Sequence, residues 1–296
     1  MLSICLPVYN VDVRAITNKL MVQAIECKIE FEIRIYDDGS TQNYKQVNHT
    51  LGNNKNIIYH ELPQNLGSAA IRNKLLADAA YNNILFLDSD SDIQDDYIQK
   101  YIPHLTQKNL IVCGGRVHPS TLPSSEFSLR WIVGKKREDH SAALRNKVPN
   151  KSFMSNNFLV KKELFNTVAF NESIKRSGHE DTMYGIELEK NGINIVHIDN
   201  PVTHIGLETN NEFITKTKQR IETLYYLESI NKDELIYKRI TLLKAHQKLK
   251  RCHGTFIFSA LYKTLGSSIE KNLASKKPSM FLYDIYKLAY YSTLNN

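Results

Sequence analysis

The sequence has no apolar run near the roughly 18 residues a membrane-spanning helix needs, so no transmembrane segment is expected. Its start, MLSICLPVYN, lacks a basic stretch followed by a long apolar core and a small-residue cleavage site. A secretory signal is therefore not expected, and a cytoplasmic location is. The four cysteines, Cys5, Cys27, Cys113 and Cys252, lie far apart. No CxxC pair exists, which argues against a zinc ribbon or a dithiol redox motif and for free thiols in a reducing compartment. No GxGxxG follows the first apolar run and no GxxxxGKS or GxxxxGKT occurs, which disfavours a dehydrogenase and a P-loop NTPase. A nucleotidyltransferase usually needs a Gly-rich basic loop after its first strand, and LPVYNVD is neither. Internal repeats and low-complexity segments are also missing.

What is present is the composition of an ordinary globular protein, 42% hydrophobic and 23% charged over 296 residues, enough chain to bury a large core. The net charge of +7 is unevenly placed. Lys232 to Asn296 holds twelve Lys/Arg against four Asp/Glu, or +8, leaving the first 231 residues near neutral (7 − 8 = −1). A basic tail on a neutral body predicts an anionic surface as partner, lipid headgroups before nucleic acid. A solvated helical face is the bland alternative.

Leu2 to Val8 is a short apolar run and reads as a buried strand. Thr17 to Cys27 has helical spacing, and Phe31 to Tyr36 alternates before the turn cluster DDGS. Ile57 to Leu62 reads as a strand, Ser68 to Ala80 as an amphipathic helix, and Ile84 to Leu87 as a strand stopping at aspartates. Leu110 to Cys113 is another strand. This rhythm predicts an α/β fold with a largely parallel sheet and helices on both faces. Ligands of such sheets bind beyond the carboxyl ends of the strands, where Pro7 to Asn10, Asp37 to Ser40 and Asp88 to Asp92 all fall. Residues 116–150, rich in polar and basic side chains, read as a long irregular loop, the kind that is often a mobile functional element. Ser155 to Val160 and Ile193 to Ile198 read as strands around a helix from Thr182 to Asn191, and the chain from Glu212 onward as helical.

Asp88-Ser89-Asp90 follows the apolar strand ILFL. Two carboxylates at i and i+2 on a strand-end loop can aim at one hard divalent cation and the phosphates it bridges. Aspartates also cluster in turns without binding anything. Asp92, a third carboxylate, suits either a spare ligand or a helix N-cap.

Five segments in order then carry a resemblance: LPVYN at 6–10, YDDGST at 36–41, NLGSAAIRN at 65–73, FLDSD at 86–90 and HEDT at 179–182. Over roughly residues 2–206 the chain resembles an inverting family 2 glycosyltransferase of bacterial type. That family has the GT-A fold, a Rossmann-like nucleotide-diphospho-sugar transferase with a mixed, mostly parallel sheet. The resemblance implies a catalytic domain over 1–225, with a nucleotide-binding half at 1–115 and an acceptor half at 116–225. A basic, aromatic-rich helical extension follows over 226–296.

By the same resemblance Pro7, Tyr9 and Asp38 form the nucleoside pocket: a ring stacks on the base and a carboxylate accepts its imide proton. Asp37 is the weaker candidate and suits holding the DDGS turn. Arg72 pairs near Asp38 or approaches the phosphates, and Asp88 and Ser89 complete the nucleotide set. Asp90 and His204 are the implied metal ligands, and imidazole tilts the cation toward Mn2+ over Mg2+. His197 fits a structural role better. Asp181 is the implied general base, with Glu180 orienting the acceptor or the base; acidic residues in a first helical turn are also favourable without any catalysis. Asn156, Asn157 and His179 are expected near the donor sugar or acceptor. Trp131, with Lys135, Lys136 and Arg137, is expected in a loop closing on the diphosphate.

The implied reaction is direct displacement, an α-linked donor giving a β-linked product, with UDP as the nucleotide. The acceptor would be a glycan or a lipid-linked sugar. The aromatic and basic clusters at 256–262 and 281–291 suit helices lying on an anionic membrane as well as a helical core. That would make the protein peripheral on the inner membrane face, and no nucleic acid partner is expected. The competing reading is an inactive transferase, or a non-enzymatic protein binding nucleotide or an anionic surface. Against inactivity, the carboxylates of DSD and ED are intact.

Overall fold

The computed structural model describes residues 1–108, 110–174, 178–231 and 233–295. The chain divides into two compact units, one of Met1–Val117, His140–Lys175 and Glu180–Gly206, the other of His118–Asp139, Arg176–His179 and Leu207–Asn296.

The strands, all in the first unit, are β1 (Leu2–Val8), β2 (Phe31–Asp37), β3 (Ile57–Glu61), β4 (Asn83–Leu87), β5 (Ser91–Asp92), β6 (Leu110–Cys113), β7 (Arg116–Val117), β8 (Asn157–Lys161), β9 (Asn194–His197) and β10 (Val202–His204). The main sheet has seven strands in the order β3-β2-β1-β4-β8-β6-β9. β8 alone in that sheet runs against its neighbours β4 and β6; the other pairings are parallel. This is the mostly parallel, mixed sheet of an α/β fold. Period-two alternation sends Ile4, Leu6, Leu85 and Leu87 into the core on one face, and Cys5, Ile84 and Phe86 into the core on the other. A strand buried on both faces reads as an unbroken apolar run, which is why LSICLPV and ILFL stand out in the sequence.

The helices are α1 (Arg14–Glu26), α2 (Gln42–His49), α3 (Ser68–Asp78), α4 (Ser128–Arg137), α5 (Ala142–Arg145), α6 (Lys162–Phe165), α7 (Glu180–Lys190), α8 (Asn210–Ile230), α9 (Glu234–Arg239), α10 (Thr241–Arg251), α11 (Thr255–Leu273) and α12 (Met280–Leu294). The second unit is built from α4 and α8–α12. Leu129 and Val133 of α4 pack with Phe213, Ile214, Ile269, Leu273, Tyr283 and Tyr286. α8 opens with a capping box, Thr209 and Glu212 each satisfying the other's backbone N–H. Two C-terminal tyrosines, the buried Tyr286 and the half-buried Tyr290, donate their hydroxyls to carboxylates: Tyr286 to Glu270 at 2.7 Å and Tyr290 to Glu222 at 2.6 Å. Among the described residues no helix is long and apolar enough to cross a membrane.

The stretch 116–150 differs from the irregular loop expected of it. It contains α4 and α5 and the short strand β7. The apolar face of α4 is narrow, and Arg130 shares its buried side. That guanidinium is 3% exposed yet lies 2.9 Å from Glu138 and 3.2 Å from Glu208. A paired, buried cation on the inner face of a helix hides the amphipathic pattern. Lys135, Lys136 and Arg137 occupy the last turn of α4, where cations suit the helix dipole.

Candidate active site

The carboxyl ends of β1 and β2 lie side by side, Pro7 opposite Tyr36 and Val8 opposite Asp37. Beyond them the chain crosses over in tight turns. Asn10 adopts a left-handed backbone at φ 54°. Its N–H donates to the Ser40 hydroxyl at 2.8 Å and its side-chain oxygen accepts the Thr41 N–H at 2.8 Å. Asp37 closes the DDGS turn by accepting the Ser40 N–H at 2.7 Å, and it also accepts the Tyr59 hydroxyl at 3.2 Å. Gly39 is required: φ is +77° and a Cβ would stand 2.8 Å from the Asn65 nitrogen. Asp38 accepts the N–H groups of Leu66 at 2.7 Å and Gly67 at 3.1 Å. Burial raises its carboxyl pKa despite those two donors. Tyr9 is 53% exposed past the end of β1, and Pro7 is half-buried.

The DSD turn follows β4. Asp88 sits between two guanidiniums, Arg72 Nη2 at 2.5 Å and Arg116 Nη2 at 3.5 Å. Arg72 is buried on α3 and also donates to the Ser68 carbonyl at 2.9 Å. Burial raises the Asp88 pKa, helped by the Asp90 charge and opposed by both arginines. Ser89 is half-buried at the turn.

The short sheet β5-β10-β7 brings Asp90 to His204. His204 pairs with Ser91 across the antiparallel β10–β5 ladder, and the Asp90 carbonyl accepts the Ile205 N–H at 2.9 Å. His204 Nε2 then lies 3.0 Å from Asp90 Oδ2. Burial pushes the Asp90 carboxyl up, but His204 and Arg116 outweigh it and hold the pKa below the usual range. The other oxygen, Oδ1, is buried with no hydrogen-bond partner. Gly206 permits this approach, since a Cβ there would stand 2.6 Å from the Asp90 Cβ. Among the described residues no group of three or more His, Cys, Asp and Glu side chains is placed to hold a metal ion.

Glu180 and Asp181 open α7. The Ser68 hydroxyl donates to Glu180 at 3.0 Å. Asp181 is hydrogen-bonded by Ser155, and burial, reinforced by the Glu180 charge, raises its pKa to about 6. Its Oδ1 has no partner. The next residue along from Ser155 reaches the other carboxylate turn: the Asn156 carbonyl accepts the Asp88 N–H at 2.9 Å. The Asn156 amide is 2% exposed and both its polar atoms are unpartnered.

Asn157 is placed differently. Its oxygen accepts the Tyr97 and Tyr101 hydroxyls at 2.8 and 2.7 Å, and its nitrogen donates to the Gly115 and Asn200 carbonyls at 3.0 and 2.9 Å. All four hydrogen bonds an amide can make are used inside the core. His197 Nε2 donates to the Pro149 carbonyl at 3.0 Å, and burial lowers the ring's pKa to about 4. Trp131 and His179 belong to the second unit, Trp131 on α4 with its indole N–H on the Pro119 carbonyl at 2.8 Å, and His179 at φ 68°. Arg116, Ser155 and Gly206 carry no motif in the sequence, and Ser68 lies within NLGSAAIRN without being singled out there. Only their positions at strand or helix ends hinted at a role.

The sequence and fold comparisons give the family and the fold. Residues 3–180 match the model of the family described as Glycosyl transferase family 2, and the chain belongs to that family. An uncharacterized glycosyltransferase, YfnE, from Bacillus subtilis is 31% identical over 113 residues, 38% of this chain and 29% of that protein. An uncharacterized glycosyltransferase from Haemophilus influenzae is 27% identical over 192 residues, 64% of this chain and 72% of that one. The chain thus spans under a third of the Bacillus relative. In fold it resembles the mannosyltransferase PcManGT from Pyrobaculum calidifontis, solved in complex with GDP-Man and Mn2+, at TM-score 0.59 and 14% identity over 99% of this chain and 84% of that one. It also resembles S. aureus TarS 1-349 in complex with UDP-GlcNAc, at TM-score 0.53 and 18% identity over 92% of this chain and 79% of that one. These likenesses establish the GT-A fold.

Proposed function

We propose that the chain is an inverting glycosyltransferase that moves a sugar from a nucleoside diphosphate, UDP by preference, to a hydroxyl of a glycan or lipid-linked acceptor. The observation that carries this reading is the Ser155–Asn156 bridge. One residue bonds Asp181 and the next bonds Asp88, so the prospective base and the DSD turn are held a fixed step apart. Asp181 takes the acceptor hydroxyl's proton as that oxygen attacks the anomeric carbon; the bond to the diphosphate breaks and the configuration inverts. A carboxyl raised to about 6 is mostly ionised at neutral pH and is a stronger base than an ordinary aspartate. Glu180, held by Ser68, orients the acceptor side. Tyr9 stacks on the base, with Pro7 and Asp38 framing it. Arg72 and Arg116 fix Asp88 toward the phosphates, and the unpartnered Asn156 amide suits a sugar hydroxyl.

The donor set at Asp90 and His204 fits a divalent cation: one buried carboxylate oxygen without a partner and one imidazole on the facing strand. Two protein donors leave the remaining positions to diphosphate oxygens and water, and the imidazole favours Mn2+. Such an ion would offset the charge gathering on the leaving diphosphate. Support also comes from the Mn2+ and GDP-Man of PcManGT and the UDP-GlcNAc of TarS, on the same fold.

The test is release of nucleoside diphosphate from a set of sugar nucleotides, before and after stripping with EDTA. Release that EDTA abolishes and Mn2+ restores is expected. Release unaffected by EDTA would overturn the cation site, and no release from any donor would favour an inactive relative. Gly206→Ala is expected to displace Asp90 and weaken Mn2+-supported nucleotide binding by about tenfold or more, as outer-shell changes at metal sites do. Calorimetric titration checks it; wild-type affinity in the variant would contradict the packing account.

A further inference from the structure

The corner of the helical unit where α10 turns into α11 carries cations and apolar side chains together. α10 lies against the unit's core through Leu243 and His246, both buried, and the His246 ring stands edge-on to Tyr291 at 4.8 Å. Lys244, Lys248, Lys250 and Arg251 are left exposed. Among the described residues no carboxylate pairs with any of the four. Lys216, Lys218 and Lys287 of the same unit, by contrast, hold carboxylates at 2.9, 2.8 and 3.0 Å. The Gly254 N–H closes the turn on the Leu249 carbonyl at 2.9 Å. The first turn of α11 then carries Phe256, 75% exposed, and Ile257, 65% exposed.

Isolated exposed apolar side chains are common and need no explanation. Two large adjacent ones next to four unpaired cations, on a helix pair whose inner faces are already packed, are the parts of an interfacial segment. The cations draw it to an anionic surface and the apolar pair enters the boundary between headgroups and acyl chains. A nucleic acid would use the same cations and could stack on Phe256, but it would gain nothing from an exposed Ile257.

We infer that the α10–α11 corner docks the protein on an anionic phospholipid surface, with Lys244, Lys248, Lys250 and Arg251 on the headgroups and Phe256 and Ile257 inserted. This stands apart from the transferase reading, and loss of either leaves the other testable.

The experiment is co-sedimentation of the full chain with vesicles of phosphatidylcholine alone and of phosphatidylcholine mixed with phosphatidylglycerol. Binding to the mixed vesicles only, weakening with salt, is expected. Each cation near an anionic surface contributes about fivefold in partitioning, so K244E/K248E/K250E/R251E should bind at least about a hundredfold more weakly. F256S/I257S should lose about tenfold through its buried apolar area, most visibly at high salt. Should charge reversal disturb the helical circular dichroism, F256S/I257S decides alone, because both positions are exposed. Equal binding to neutral vesicles, none to mixed vesicles, or wild-type binding by F256S/I257S would overturn the inference. Wild-type protein that ignores the mixed vesicles but retards RNA would assign the corner to nucleic acid instead.

Discussion

Asp181→Asn is expected to slow transfer by about a hundredfold to ten-thousandfold, to leave donor binding unchanged, and to make the protein more stable at pH 7. The last effect follows from the same burial that creates the base. The Asp181 carboxyl rises from an ordinary 3.8 to about 6 on folding, burial first and Glu180 second. A folded pKa above the unfolded one means the native state binds the proton more tightly. Ionising this group therefore costs nothing below about pH 4, costs progressively more between pH 4 and 6, and costs its full amount above pH 6. At 1.36 kcal/mol per unit the ceiling is about 3 kcal/mol, and partial exposure of the residue brings the expected gain nearer 1 kcal/mol. Melting curves of both proteins should separate at pH 7 and converge near pH 4. Wild-type turnover should show an acid limb near pH 6. A variant that is less stable at pH 7, or a rate flat down to pH 4, would remove Asp181 as the base.

Arg72→Met is expected to be among the most damaging single changes in the first unit. It leaves the Asp88 carboxylate, already raised by burial, with only Arg116 at 3.5 Å. Removing one partner of a buried pair costs about 3 kcal/mol or more, because the remaining charge is stranded. Adding Asp88→Asn should recover most of that loss, since neither charge then needs solvation. The pair of denaturation curves checks this. Simple additivity of the two losses would show that Arg72 is held for packing, for example over the Phe170 ring at 5.9 Å, and not for its charge.

Much of this site is legible in the sequence because strand ends are easy to find. β1 runs over the apolar stretch Leu2–Val8, β4 ends where ILFL meets the aspartates, and the glycine-bearing turns after β2 and before α3 mark the proposed nucleotide side. What resisted reading depends on chain crossings. β5, β7 and β10 are two or three residues each, too short for alternation to register, yet they set His204 against Asp90. Arg116 follows two glycines in no motif, and Gly206 matters only because Asp90 folds against it. Asn156 and Asn157 look alike in the sequence. The fold leaves one amide buried and unpartnered and locks the other among tyrosines. α4 was hidden by its buried, paired Arg130.

The central claim is a nucleoside diphosphate site completed by a cation at Asp90 and His204. Its most direct test is calorimetric titration of UDP, then GDP, into wild-type protein and Asp90→Ala, each with and without Mn2+. The account predicts that Mn2+ tightens one nucleotide by about tenfold or more in the wild type and leaves Asp90→Ala unaffected. Equal affinities across all four conditions would contradict it.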